Sequence, residues 1–136
     1  MSPINYVRAV RLFVVRHAEA APGDPDDLRP LTAAGRDAAR ALGERLADAQ
    51  IEAVLSSPLL RARETAELIA RAAGLESEPD ERLAPGADVE DLREAFAGRG
   101  DVAVSVGHQP DCSEIVLALT GEHIDFAPGA VREVAL

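Results

Sequence analysis

The sequence predicts an α/β protein with a largely parallel sheet and helices on both of its faces, a three-layer αβα sandwich. Three observations carry that expectation. Apolar runs of four or five residues, at 12–15 and 102–106, are too short for helices and uniform enough to be buried strands. Turn residues follow each run, and then a segment with apolar residues at helical spacing, the alternation that builds parallel sheets. The chain has 136 residues, of which 47% are hydrophobic, enough for one core and one domain spanning residues 1–136.

The first strand is expected over residues 11–15. Pro22, Gly23, Pro25 and Pro30, interleaved with Asp24, Asp26 and Asp27, make the next stretch a solvated loop. Thr32 suits the N-cap of a helix over about 33–48, with Ala38, Leu42, Leu46 and Ala49 as its apolar stripe. A short second strand follows at 53–56. Ser57 then reads as an N-cap with Pro58 at the first helical position, and Gly74 as the stop. Ala62, Ala66, Ile69 and Ala73 form the stripe of that helix.

A minor strand over 75–78 leads through Pro79, Pro85 and Gly86 to a short helix over about 89–97. Asp88 caps it, with Asp91 three residues on, and Gly98 and Gly100 end it. Residues 102–106 are a buried strand and 107–110 a turn. Asp111, with Glu114 three residues later, opens a helix that bears Ile115, Val116 and Leu119 and closes at Gly121. Residues 130–136 read as the last strand, and the chain stops soon after it.

Composition narrows the function. The charge is −10, from 24 acidic against 14 basic residues, and every basic residue is arginine. An acidic shell without a basic run opposes binding to nucleic acid or anionic lipid. No apolar run approaches the ~20 residues needed to cross a bilayer. The first ten residues, MSPINYVRAV, lack the apolar segment and cleavage pattern of a secretory leader, and the single cysteine, Cys112, cannot form an internal disulfide. A reducing cytoplasm is the expectation, with Cys112 packed in the core.

The chemistry gathers at strand ends, where ligands bind in open α/β sheets. Arg16 and His17 follow the first strand, Ser57 and Arg61 the second, and His108 a third. Arg61 sits in the first turn of its helix, where a cation meets the positive end of the macrodipole at a cost of ~0.3–1 kcal/mol. An anion at the site removes that conflict, because helix amides and a guanidinium then address one ligand. Two arginines suit a tetrahedral oxyanion such as a phosphoryl group. Neighbouring cations hold His17 neutral, and a neutral imidazole against a clamped phosphoryl group is a nucleophile. Against this stand blander readings: Arg16 and His17 as surface residues, Arg61 paired with Glu64 or Asp37, and His108 as a loop histidine. His17, His108 and Glu19 could also ligate a metal, which Arg16 and Arg61 would oppose. His123 reads as a surface turn residue, and Asp24, Asp26 and Asp27 as a solvated loop near the pocket mouth that could also screen anionic competitors.

Three segments resemble the histidine phosphatase superfamily, the group that includes phosphoglycerate mutases and acid phosphatases. RHAEA, from Arg16, resembles its Arg-His-Gly signature, with Ala18 where the glycine usually stands. SSPLLRARETA, residues 56–66, is similar to its Ser-Ser-x-x-x-Arg-Ala-x-x-Thr-Ala segment, and SVGHQP, residues 105–110, to the segment bearing a second histidine. The shortness of the chain, RPLTAAGRDAAR at 29–40 and a late FAPGAV are similar to the small bacterial SixA-type phosphohistidine phosphatases.

The resemblance implies a phosphoglycerate mutase-like fold without an inserted lid domain, and no metal or cofactor. It implies that His17 is the phosphorylated nucleophile, that Arg16, Arg61 and His108 hold the phosphoryl oxygens, and that Ser57 shapes the pocket wall. Larger members take a general acid from an inserted region; here Glu81 and Glu19 are the candidates for that role. An imidazole leaving group can depart after protonation by water, whereas an alkoxide needs the acid more, which favours phosphoamidate substrates. The expected function is hydrolysis of phosphohistidine on a protein, by a monomer. A phosphomonoesterase acting on a small phosphate ester and a non-catalytic phosphate-binding module are the alternatives.

Overall fold

The computed structural model describes residues 9–136 and contains a five-stranded sheet flanked by four α-helices. The leader reading concerns residues 1–8 for the most part, and these lie outside the described residues. The strands are β1 (Arg11–Arg16), β2 (Ala53–Ser56), β3 (Glu78–Pro79), β4 (Val102–Gly107) and β5 (Val131–Ala135). They lie in the order β3-β2-β4-β1-β5, all parallel to their neighbours except β5, which runs antiparallel along β1. The helices are α1 (Ala33–Leu46), α2 (Leu60–Ala72), α3 (Val89–Phe96) and α4 (Asp111–Thr120).

Strand alternation divides the core into two layers. Phe13 and Val15 of β1 face one side, with Val54, Val104 and Val106, and pack against Leu42 and Leu46 of α1 and Ala62, Ala66 and Ile69 of α2. Leu12 and Val14 face the other side, with Leu55 and Ala103, and meet Leu92 and Phe96 of α3 and Ile115 and Val116 of α4. The central strands are therefore buried on both faces, which is why they read as near-continuous apolar runs, broken within β4 by Ser105. Among the described residues no helix is long and apolar enough to cross a membrane.

The local signals acted as expected in several places. The Thr32 hydroxyl accepts the Gly35 N–H at 2.9 Å and caps α1. Asp88 and Asp91 form a reciprocal capping box on α3, and Gly121 closes α4 in the left-handed conformation with φ +76°. Four expectations are corrected. Ala38 is exposed; the buried stripe of α1 runs through Ala39, Leu42 and Leu46, one residue out of step at its start. The minor strand is the two-residue Glu78–Pro79 rather than 75–78. Helix α2 begins at Leu60 with Leu59 at the cap, so neither Ser57 nor Pro58 opens it; the Ser57 hydroxyl is drawn instead to the sheet edge, where it bonds His108. Asp111 does not cap α4 with its side chain; the carboxylate crosses to accept the Gly86 N–H at 2.8 Å.

Candidate active site

Neighbouring strands β2, β4 and β1 end level with one another, because Arg16 pairs with Gly107 and Ser56 with Val106. Two more backbone bonds extend that register past the sheet, from His17 N–H to the Gly107 carbonyl at 3.0 Å and from Ser57 N–H to the Val106 carbonyl at 2.9 Å. Parallel strands lie ~4.8 Å apart, so residues just beyond three adjacent ends fall within about 10 Å. The imidazoles of His17 and His108 accordingly stand with ring centroids 5.3 Å apart, tilted by 56°.

The His17 ring is fixed by its neighbour. Nδ1 lies 2.8 Å from the Ala18 carbonyl, which can only accept, so the hydrogen is on Nδ1 and the lone pair on Nε2. Burial depresses the imidazole below its ordinary range, and the guanidiniums of Arg61, Arg16 and Arg29 push the same way against the opposing Ala18 bond. His17 is therefore neutral near pH 7. His108 is depressed further, to about 4, first by burial and then by His17, Arg61 and Arg16. Its Nε2 is 2.7 Å from the Ser57 hydroxyl, and that hydroxyl also accepts the Leu59 N–H at 3.2 Å. That contact fixes the His108 ring against the end of β2.

Arg16 ends β1, with Nη1 donating to the Phe126 carbonyl at 2.9 Å. Its Nε is buried and has no acceptor among the described residues. Arg61, in the first turn of α2, is buried and pairs with neither Glu64 nor Asp37; Nη1 donates to the Asp26 carbonyl at 2.9 Å and Nη2 to the Asp26 carboxylate at 3.2 Å. Glu64 instead engages Arg36 and the Leu31 N–H, and Asp37 engages Arg40.

The structure thus brings Arg16, His17, Ser57, Arg61 and His108 together. Neither carboxylate candidate bonds a member of that group among the described residues. Glu19 accepts the Thr32 hydroxyl at 2.7 Å and so anchors the entry to α1. Glu81 is exposed in the single 3-10 turn after β3. Cys112 is in the core, its thiol pushed up to about 12 by burial, and His123 is exposed. Among the described residues no three His, Cys, Asp or Glu side chains are arranged to hold a metal ion.

Two residues of the site, Thr65 and Arg29, had no role in the sequence reading, and a third, Asp26, was read only as part of an acidic loop near the pocket mouth. Thr65 straps α2 to the strand end: its hydroxyl donates to the Arg61 carbonyl at 2.8 Å and accepts the Ala18 N–H at 3.0 Å. Asp26 and Arg29 belong to the loop read as solvated, yet Asp26 bonds both Arg61 and Arg29. Thr65 falls inside the segment quoted for the resemblance, which was its signal. Asp26 was one of three aspartates in four residues, so nothing local singled it out as the partner of Arg61.

A family model of the histidine phosphatase superfamily (branch 1) matches residues 12–101. An uncharacterised protein of Picosynechococcus sp. is 36% identical over 137 aligned residues, covering 90% of this chain and 82% of that protein. Among solved structures, the protein histidine phosphatase SixA complexed with tungstate superposes with a TM-score of 0.80 at 29% identity, covering 91% of this chain and 86% of that one. The putative phosphohistidine phosphatase SixA of Agrobacterium tumefaciens gives 0.76 at 26% identity, with 91% and 89% covered.

Proposed function

The chain belongs to the histidine phosphatase superfamily, branch 1, and on that premise we propose that it hydrolyses phosphohistidine on a protein through a phospho-His17 intermediate. The observation that carries this reading is the fixed tautomer of His17: a buried, neutral imidazole whose Nε2 lone pair is unengaged among the described residues, with three guanidiniums in its field. Binding alone needs the cations but not that lone pair.

In the proposed reaction Arg16, Arg61 and His108 take the phosphoryl oxygens, with the buried Nε of Arg16 among the donors. Ser57 holds the His108 ring and forms part of the wall. Nε2 of His17 attacks phosphorus in line as the bond to the leaving nitrogen breaks, and that imidazole departs with a proton from solvent. Water then attacks the phosphorus of phospho-His17, the P–N bond electrons return to Nε2, and orthophosphate leaves. Asp26 cannot supply a proton, since Arg29 and Arg61 hold its carboxyl below the ordinary carboxylate range. Glu81 is the carboxylate assigned to an oxygen leaving group, and Glu19 to contacts with the substrate. Residues 1–136 act as one domain without an inserted lid, as a cytoplasmic monomer that needs no metal.

The test compares turnover of a phosphohistidine protein, phosphoramidate and a sugar phosphate by the wild type and by His17→Ala, with and without chelator. The expected result is fastest turnover of the P–N substrates, no effect of chelator, loss of turnover in the variant, and an acid-labile phosphoryl label trapped on the wild type alone. Turnover retained by His17→Ala removes His17 from the chemistry. Preference for the sugar phosphate moves the substrate to small esters.

A further inference from the structure

Asp26 stands among the groups that take the phosphoryl oxygens, yet the reaction above gives it nothing to do. Its carboxylate spans two guanidiniums: Oδ1 accepts from Arg29 Nη1 at 3.0 Å and Oδ2 from Arg61 Nη2 at 3.2 Å. Its backbone carbonyl accepts from Arg61 Nη1 at 2.9 Å. Both terminal nitrogens of Arg61 therefore address one residue, and one of those contacts is with a formal negative charge. The same two arginines keep that carboxylate ionised, and its field reaches His108. An internal anion already sits on the guanidinium that has to receive an external one.

We propose, resting on the reading of this cluster as the phosphoryl site, that Asp26 is a built-in competitor for Arg61 that weakens the grip on free phosphate and so speeds product release. Two anions on one pair of guanidiniums repel each other, and like charges within a few ångströms interact appreciably where water is partly excluded. The longer contact, Oδ2 to Arg61, is the one that yields to an incoming phosphoryl oxygen. The Asp26 side chain, 60% exposed, has room to turn toward Arg29 alone, while Arg61 stays anchored through the Asp26 carbonyl. Orthophosphate, left at the end of the reaction with no contacts beyond its own oxygens, has nothing to offset the carboxylate repulsion and is held loosely.

The experiment is calorimetric titration of inorganic phosphate into the wild type, Asp26→Asn and Asp26→Ala, with Arg61→Ala as reference, alongside product inhibition by phosphate. Asp26→Asn keeps shape and backbone carbonyl but removes the charge, so phosphate should bind about fivefold tighter or better, with inhibition deepening in step. Asp26→Ala should shift affinity in the same direction. Weaker or unchanged binding in both variants overturns the inference, because Asp26 then only orients Arg61. If Arg61→Ala abolishes phosphate binding while the Asp26 variants match the wild type, the phosphoryl-site reading stands and the competitor does not. If neither the wild type nor the Asp26 variants bind phosphate, both are lost.

Discussion

At the scale of single residues, the chemistry of His17 is decided by one carbonyl. The Ala18 oxygen takes the Nδ1 hydrogen and so points a lone pair from Nε2. Ala18 itself, standing where the family usually has glycine, is fully buried, and its methyl packs with Leu31 and Ala39, which explains how the change is accommodated. Because burial and three arginines depress His17, protonation of this proposed nucleophile requires a pH below the ordinary imidazole value of ~6.5. The acid limb of kcat/KM against pH, which reports the free enzyme, should therefore lie below that value. A limb at or above it contradicts the assignment of His17 as a neutral nucleophile in this field.

At the scale of elements, the site depends on how closely two segments approach the end of β1. One is α2, tied by Thr65 to both Arg61 and Ala18. The other is the start of α1, where Gly35 leaves no room for a side chain: a Cβ built there would lie 2.2 Å from the Glu19 carbonyl oxygen, a backbone atom. Gly35→Ala must push α1 away from a residue two positions beyond His17. The expected cost is about 1–3 kcal/mol or more in urea unfolding, with a fall in kcat. Full stability and activity in that variant would contradict the close approach. The same crowding has no counterpart at Gly74 or Gly86, whose positive φ marks turns with open space around them. Ser57 teaches a related lesson. Its place before a proline and a helix reads as a cap, but the strand end points its hydroxyl at His108, and the helix starts three residues later.

At the scale of the whole molecule, four cationic or neutral-held groups are gathered in a chain of net charge −10, and the two histidines are kept neutral by the fold. That neutrality links stability to pH. His108 binds a proton near pH 6.5 when unfolded but only near about 4 when folded, so the unfolded state gains protons in between. Stability contributed by keeping it neutral is fully present above about pH 6.5 and is lost as pH falls toward 4, by roughly 3 kcal/mol from this residue. His17 acts in the same direction, and Asp111, pushed up by burial, in the opposite one. Unfolding free energy measured from pH 7 to 4.5 should therefore fall less steeply in His108→Gln than in the wild type. Equal slopes would show that His108 is not the group that takes up the proton.

The sequence by itself determined the layered α/β architecture, because apolar runs of strand length alternate with amphipathic segments whose caps and glycine stops are local signals. It also determined which strand ends carry Arg16, His17, Arg61 and His108, since each lies within a few residues of its strand. It could not determine what those groups touch. The Asp26 bridge to Arg61 joins residues 35 positions apart, and the strap from Thr65 to Ala18 spans 47. Such contacts follow from strand order and helix placement, and a side chain in a polar, proline-rich loop looks alike whether it faces water or a guanidinium. Tertiary structure alone decided that a loop aspartate would bond Arg61, that Glu19 would turn to Thr32, and that Glu81 would face solvent.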